Sequence, residues 1–192
     1  MDSWWATLWE HTYWPVPWAV AILVTVIAAT TDCKTRRIPN LLTFPAFFAG
    51  LIYATLTCGF VGLADAFAGA LLAMGPFVLM FLFAGGGAGD AKLMGALGAW
   101  LGVLGGAITL IAVMIAGGLL SLVFIVFRHN GKHVWANLLW IFDSLRAVVM
   151  GNKQARSSTL LPRVESLHVM PYGLAIFLGT CIATGGAWLW HA

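Results

Sequence analysis

Long apolar runs separated by short polar segments constrain the fold of this chain more than any other feature. Of its 192 residues, 61% are hydrophobic and 9% are charged. Several runs approach the ~20 residues that an α-helix needs to cross a bilayer. Because backbone polar groups must be satisfied inside lipid, such runs form helices. The sequence therefore predicts an all-α, polytopic integral membrane protein with residues 1–192 as a single membrane-embedded domain.

The positions of these runs predict about six membrane-spanning helices. They cover residues 15–31, 41–56, 62–84, 90–104, 107–127 and 171–190. The fourth span is short, because its length of ~22 Å is below the ~30 Å of the hydrocarbon core. Its glycines include two overlapping GxxxG spacings, which favour tight helix packing. They lie at Gly95, Gly98, Gly102 and Gly106.

The basic residues predict the orientation of these spans. With the N-terminus outside, all ten Lys and Arg residues fall in three cytoplasmic segments, 32–40, 85–92 and 128–170. This agrees with the positive-inside rule, and tryptophans cluster at the outer ends of the first and last spans, as in an aromatic belt. Orientation thus explains the basic residues, and we expect no nucleic-acid partner. Within the long loop at 128–169, the apolar stretch 134–150 predicts a helix lying on the membrane surface.

Asp32 and Asp90 both lie at the inner ends of predicted spans, in a chain with only seven acidic residues. Asp90 alone is explained as a helix N-cap, and Asp32 alone as a partner for Arg36 or Arg37. Two neighbouring carboxylates, however, can perform general acid–base catalysis on a water molecule. The shared membrane level of the two residues favours this second interpretation.

The residues around the two carboxylates each have two interpretations. Gly87 and Gly89 permit close approach of an extended peptide, or form a flexible connector. Lys92 is an anchor at the inner membrane surface, or attracts the carboxylate end of a bound group. Pro39 ends extended structure, and Asn40 suits the N-cap of the second span.

Other polar residues are weaker candidates for chemistry. Asp65 lies near the outer end of the third span, where a structural hydrogen bond or an outer-surface position is favoured over catalysis. Cys33 as a nucleophile would need a nearby His, and the cytoplasmic histidines have no recognisable spacing to it. His129 and His133 have a metal-like spacing on a helix, but the Asn-Gly pair between them favours a turn. We therefore predict no metal and no cofactor.

Two motifs resemble those of a known family. DCKTRRIPN, beginning at Asp32, and GAGDAKL, containing Asp90, resemble the paired motifs of type IV prepilin peptidases, which are intramembrane aspartic proteases of the GxGD type. MPYG, ending at Gly173, resembles the small branch that serves tight-adherence (Flp) pili. The resemblance covers nearly the whole chain and implies that Asp32 and Asp90 are the catalytic pair.

The resemblance also implies substrates and location. The substrates would be prepilins and pseudopilins, cut after a short basic leader by a multi-pass protein of the bacterial inner membrane, near its cytoplasmic face. Larger members carry two CxxC pairs in an additional region, whereas the three cysteines here form no such pair. No binding site for a methyl donor can therefore be named.

Two other functions are compatible with acidic residues in a membrane. A small proton-coupled transporter would use the same acids as a proton relay. It should place them near the bilayer centre and show repeated halves with broken helices. The sequence instead places the pair at one face, without a visible repeat, and so favours the protease. A non-catalytic assembly subunit is a third, weaker interpretation.

Overall fold

The computed structural model describes residues 15–84, 87–128 and 172–191. They form four helices: α1 (Pro15–Thr35), α2 (Asn40–Ala84), α3 (Ala88–Arg128) and α4 (Tyr172–His191). Each helix is long and apolar enough to cross a membrane. Within these ranges no strand occurs, so the all-α class is confirmed for the described part of the chain. The surface helix predicted at 134–150 lies outside it.

The chain divides into two compact units. The first comprises residues 1–118 and 171–192, and the second comprises residues 119–170. Of the second unit, the structure describes the end of α3, residues 119–128, which is helical. Both carboxylates of interest belong to the first unit, in which α1 packs along α4 and also contacts α2.

Helix α2 reverses direction at Gly59. The backbone of this residue leaves the helix with φ 63° and ψ −145°, a combination that is open essentially only to glycine. A Cβ on Gly62 would contact the carbonyl group of Ala54. In a continuous helix these residues would be ~12 Å apart along the axis. The two halves of α2, residues 40–58 and 60–84, therefore form a helical hairpin.

Helix α3 reverses in the same way at Gly102, where φ is 67° and ψ is −170°. A Cβ on Gly106 would lie 3.5 Å from the Cα atom of Gly98, so the chain folds back here too. The N–H of Val103 donates a hydrogen bond of 3.2 Å to Oδ1 of Asp65. Because Val103 begins a new helical segment, its N–H has no acceptor within that segment, and Asp65 supplies one. Of the two roles expected for Asp65, the structural hydrogen bond is present.

The first half of α3, residues 88–101, is the most enclosed segment of the first unit. Every residue from Leu93 to Leu101 is buried, and a helix buried on all faces belongs in the interior of a bundle. The core around it includes Trp18 of α1, Phe77 of α2 and Ile176 of α4. The segment is ~21 Å long, close to the ~22 Å expected for the fourth apolar run.

Glycines allow this central helix to approach α2 closely. A Cβ on Gly98 would lie 2.8 Å from the Cα atom of Ala70, which is too close for any side chain. The tight packing predicted from the GxxxG spacings therefore occurs at Gly98. The spacings do not form one continuous helical face, however, because Gly102 is the point at which the helix breaks.

Candidate active site

Asp32 lies in the last turn of α1, where the helix end fixes its position. The helix ends at Thr35, and Arg36 follows with a left-handed φ of 53°. The N–H of Arg36 then donates a 2.8 Å hydrogen bond to the carbonyl oxygen of Asp32, which closes the helix in the way that an αL cap does. The side chain of Asp32 is only 8% exposed.

Asp90 lies in the first turn of α3. The helix begins at Ala88, and the N–H of Asp90 donates a 3.2 Å hydrogen bond to the carbonyl oxygen of Gly87. The interpretation of Asp90 as a simple N-cap is therefore wrong, since Gly87 occupies the position before the helix. A negative charge in the first turn is favoured by the helix dipole. Asp90 is 9% exposed, so this carboxylate is as enclosed as that of Asp32.

The two carboxylates come from different helices and lie within range of each other's charge. They are 58 residues apart in the sequence, yet both are more than nine-tenths buried in the same unit. Buried charged groups are rare unless they are paired or have a function. A close pair of carboxyl groups can hold one proton between them, which allows one to act as a base while the other acts as an acid.

Two contacts join the segments that carry the carboxylates. A Cβ on Gly89 would lie 3.1 Å from the Cβ atom of Ile38, so the two motif segments touch at this point. One turn further on, Nζ of Lys92 donates a 2.9 Å hydrogen bond to Oδ1 of Asn40. The same Nζ lies 5.3 Å from the ring centroid of Phe44, within reach of a cation–π interaction.

Pro39, rather than Asn40, occupies the N-cap position of α2. The carbonyl oxygen of Pro39 accepts hydrogen bonds from the N–H groups of Leu42 and Thr43, at 3.0 and 3.4 Å. An N-cap residue is the one whose carbonyl accepts the first intrahelical bond. The predicted cap is therefore wrong by one residue, and Asn40 instead uses its side chain to accept the hydrogen bond from Lys92.

Gly87 lies directly beside the carboxylate of Asp90. It is exposed, and a Cβ at this position would be 2.5 Å from Oδ2 of Asp90. A side chain here would displace the carboxylate or the loop. Gly87 and Gly89 thus keep the loop close to Asp90 on one side and to Ile38 on the other.

The start of α4 is a third component of the site, to which the sequence analysis assigned no role. The N–H of Gly173 donates a 2.8 Å hydrogen bond to Oδ2 of Asp32, and Tyr172 lies within range of the charge of Asp90. The MPYG motif contains both residues and opens the last span. The motif could have drawn attention to these residues, but it could not have predicted a contact made through a backbone N–H.

The other candidates are a cysteine and two histidines. Cys33 is exposed and carries a free thiol, while the two histidines weighed for metal binding lie outside the described residues. Among the residues that the structure describes, no group of three or more His, Cys, Asp and Glu side chains is arranged to hold a metal ion.

Comparison with known proteins adds independent information. A family model described as the type IV leader peptidase family matches residues 19–122, a stretch that contains both carboxylates. A prepilin leader peptidase/N-methyltransferase from Aeromonas hydrophila is 34% identical over 145 residues, which cover 64% of this chain and 49% of that protein. The protein of the same name from Klebsiella pneumoniae is 37% identical over 90 residues, covering 43% and 39% of the two chains.

A third relative extends this comparison. The prepilin leader peptidase/N-methyltransferase from Neisseria gonorrhoeae is 34% identical over 104 residues, which cover 50% of this chain and 36% of that protein. The chain spans about half the length, or less, of these curated relatives. No solved structure matches it.

Proposed function

This chain belongs to the type IV leader peptidase family, and we propose that it is an intramembrane aspartic endopeptidase that removes leader peptides from prepilins and pseudopilins. One observation carries the proposal. Asp32 and Asp90 come from separate helices, are both more than nine-tenths buried and lie within range of each other's charge. The relatives whose printed names describe leader peptidases supply the substrate class.

The proposed reaction uses the two carboxyl groups in opposite protonation states. The ionised carboxylate takes a proton from a water molecule, which attacks the carbonyl carbon of the scissile peptide bond. The protonated carboxyl group polarises the carbonyl oxygen by donating a hydrogen bond to it. The proton taken from water is later delivered to the leaving nitrogen. No cofactor is needed for this sequence of proton transfers.

We place the site near the cytoplasmic face of the bacterial inner membrane, in a bundle of six spans with the N-terminus outside. The reversals at Gly59 and Gly102 support six spans, because α2 and α3 then each cross the membrane twice. The distribution of the basic residues supports the orientation. In the sequence, Asp32 is followed closely by the basic segment 34–37, and Asp90 is followed by Lys92.

The finer assignments belong to the same proposal. We assign the chain to the tight-adherence (Flp) branch on the MPYG motif, with the whole chain as one peptidase domain. The substrates carry a short basic leader. Gly87, Gly89, Pro39, Asn40 and Lys92 are proposed to shape the loops that receive this leader. The bond between Lys92 and Asn40 supports loop shaping over direct substrate binding for these two residues.

The decisive experiment is cleavage of a purified prepilin by the purified protein in detergent. Asp32→Asn and Asp90→Asn should each abolish leader removal, because each variant leaves one titratable carboxyl group where two are needed. Cys33→Ala is the matched control, since it alters the neighbour of Asp32 without touching the pair. It should retain substantial cleavage.

Three results would contradict the proposal. Cleavage that survives either Asp→Asn change would remove the carboxylate mechanism. Loss of cleavage in Cys33→Ala, with normal folding and membrane level, would favour a thiol mechanism instead. If the wild-type protein itself fails to cut prepilins, the peptidase function is lost as a whole.

A further inference from the structure

The start of α4 approaches Asp32 from a distant part of the chain. Gly173 is the second residue of α4, and its buried N–H donates a 2.8 Å hydrogen bond to Oδ2 of Asp32. The N–H groups in the first turn of a helix have no acceptor within that helix. The bond therefore satisfies a buried donor and a buried carboxylate at once.

This approach is possible only because position 173 carries no side chain. A Cβ on Gly173 would lie 2.9 Å from Cβ and 3.0 Å from Oδ2 of Asp32. Contacts this short require one of the two helix ends to move. Any larger residue would therefore lengthen the hydrogen bond or rotate the carboxylate.

Neighbouring contacts hold the start of α4 in place. The ring of Tyr172 packs edge-on against that of Phe77, with 5.8 Å between the centroids. A Cβ on Gly117 would lie 2.6 Å from the hydroxyl oxygen of Tyr172, so this hydroxyl lies directly against α3. The donor at Gly173 is therefore fixed relative to two other helices.

From this geometry we infer that Gly173 is a positioning residue for catalysis: its backbone N–H holds one oxygen of Asp32 and thereby orients the carboxyl group toward Asp90 and the substrate. The inference rests on the proposed peptidase function. Precise orientation of reacting groups contributes strongly to rate, and a displacement of ~1 Å can reduce it ~100-fold.

Gly173→Ala tests the inference by kinetics. We expect kcat for prepilin cleavage to fall by at least about tenfold, with KM within about twofold of wild type, because orientation of Asp32 and not leader binding is disturbed. Gly186→Ala is the control on the same helix, since a Cβ there meets no atom within 4 Å. It should cleave at the wild-type rate. A Gly173→Ala protein with wild-type kcat, or with only KM changed, overturns the inference.

A spectroscopic measurement tests the hydrogen bond without any substrate. The chain contains a single Tyr-Gly step, at residues 172–173. Tyrosine labelled with ¹³C at the carbonyl, combined with ¹⁵N-glycine, therefore gives one resolvable amide signal in detergent. The Gly173 amide proton should move clearly upfield in Asp32→Ala, which removes the acceptor, and less in Asp90→Ala.

The two measurements separate this inference from the proposed function. An amide signal that Asp32→Ala leaves in place overturns the inference even if Gly173→Ala is poorly folded. A wild-type protein that shows the expected amide shifts but cuts no prepilin would contradict the peptidase function and not the hydrogen bond.

Discussion

Asp32 and Asp90 take their positions from opposite ends of helices. Asp32 is presented by the closing turn of α1, in which Arg36 adopts a left-handed conformation that costs ~1 kcal/mol for a residue other than glycine. Asp90 is presented by the opening turn of α3, directly after Gly87. The backbone geometry at the end of α1 and at the start of α3 thus sets the positions of the two carboxylates.

Lys92 and Asn40 provide the side-chain hydrogen bond between the two motif segments. We expect Lys92→Met and Asn40→Ala each to lower the free energy of unfolding by about 1 kcal/mol or less, since the pair is partly exposed to solvent. The double variant should lose less than the sum, because the second change removes a bond that is already absent. Unfolding by denaturant in detergent measures all three values.

The control is a double variant that combines Asn40→Ala with Thr184→Ala. The hydroxyl of Thr184 donates its hydrogen bond within α4, so the losses in the free energy of unfolding from these two changes should add. Additive losses for Lys92→Met and Asn40→Ala would contradict the coupling. If Lys92→Met were also to raise KM for prepilin without changing stability, Lys92 would contact the substrate rather than shape the loop.

At the level of elements, hydropathy located the apolar segments but not the exact turns between them. The predicted gap between the fourth and fifth spans was at 105–106, whereas the chain reverses at Gly102. The difference arises because Asp65 of α2 caps the N–H of Val103. Such a contact depends on three-dimensional packing, and no pattern along α3 alone reveals it.

The same limit applies to the candidate site. The two carboxylates could be proposed from the sequence because acidic residues are few and both fall at the predicted inner ends of apolar runs. In the structure both are buried. Gly173 could not be given a role, because its contribution is a backbone N–H donated across 141 residues of sequence. A backbone donor leaves no side-chain signature.

Two glycines of α2 test whether the reversal depends on backbone conformation. A Cβ at Gly59 or at Gly75 meets no atom within 4 Å, but only Gly59 has a positive φ, of 63°. We expect Gly59→Ala to lower the free energy of unfolding by about 1–3 kcal/mol, because alanine is strained in this conformation.

Gly75→Ala should instead raise stability by about 0.5–1 kcal/mol, since alanine is favoured over glycine within a helix. Denaturant titration of both variants in the same detergent provides the comparison. Equal effects at the two positions would show that the reversal at Gly59 does not require its backbone conformation.

At the level of the whole molecule, the proposed arrangement in the membrane rests on the two reversals and on the distribution of the basic residues. Residues 40–84 of α2 would extend ~65 Å if continuous, about twice the hydrocarbon thickness. A reversal at Gly59 divides this length into two spans of suitable size. In the proposed orientation, with the basic segments inside, the reversals at Gly59 and Gly102 would lie outside and both carboxylates would lie near the cytoplasmic face.

Single cysteines test this arrangement directly, after replacement of Cys33, Cys58 and Cys181 by alanine. We expect Ser157→Cys to react with a membrane-impermeant maleimide only from the cytoplasmic side, because Ser157 lies in the most basic segment. Ser3→Cys should react only from the opposite side. Phe60→Cys, next to the reversal and 82% exposed, should react from the same side as Ser3→Cys.

Labelling of Phe60→Cys also distinguishes a protein with six membrane spans from one with four. If α2 crossed the membrane once, residue 60 would lie near the bilayer centre, where the reagent cannot reach it from either face. A Phe60→Cys protein that stays unlabelled, while Ser3→Cys and Ser157→Cys label from opposite sides, would therefore exclude the double crossing of α2. Labelling of Ser3→Cys and Ser157→Cys from one and the same side would remove the orientation that places Asp32 and Asp90 at the cytoplasmic face.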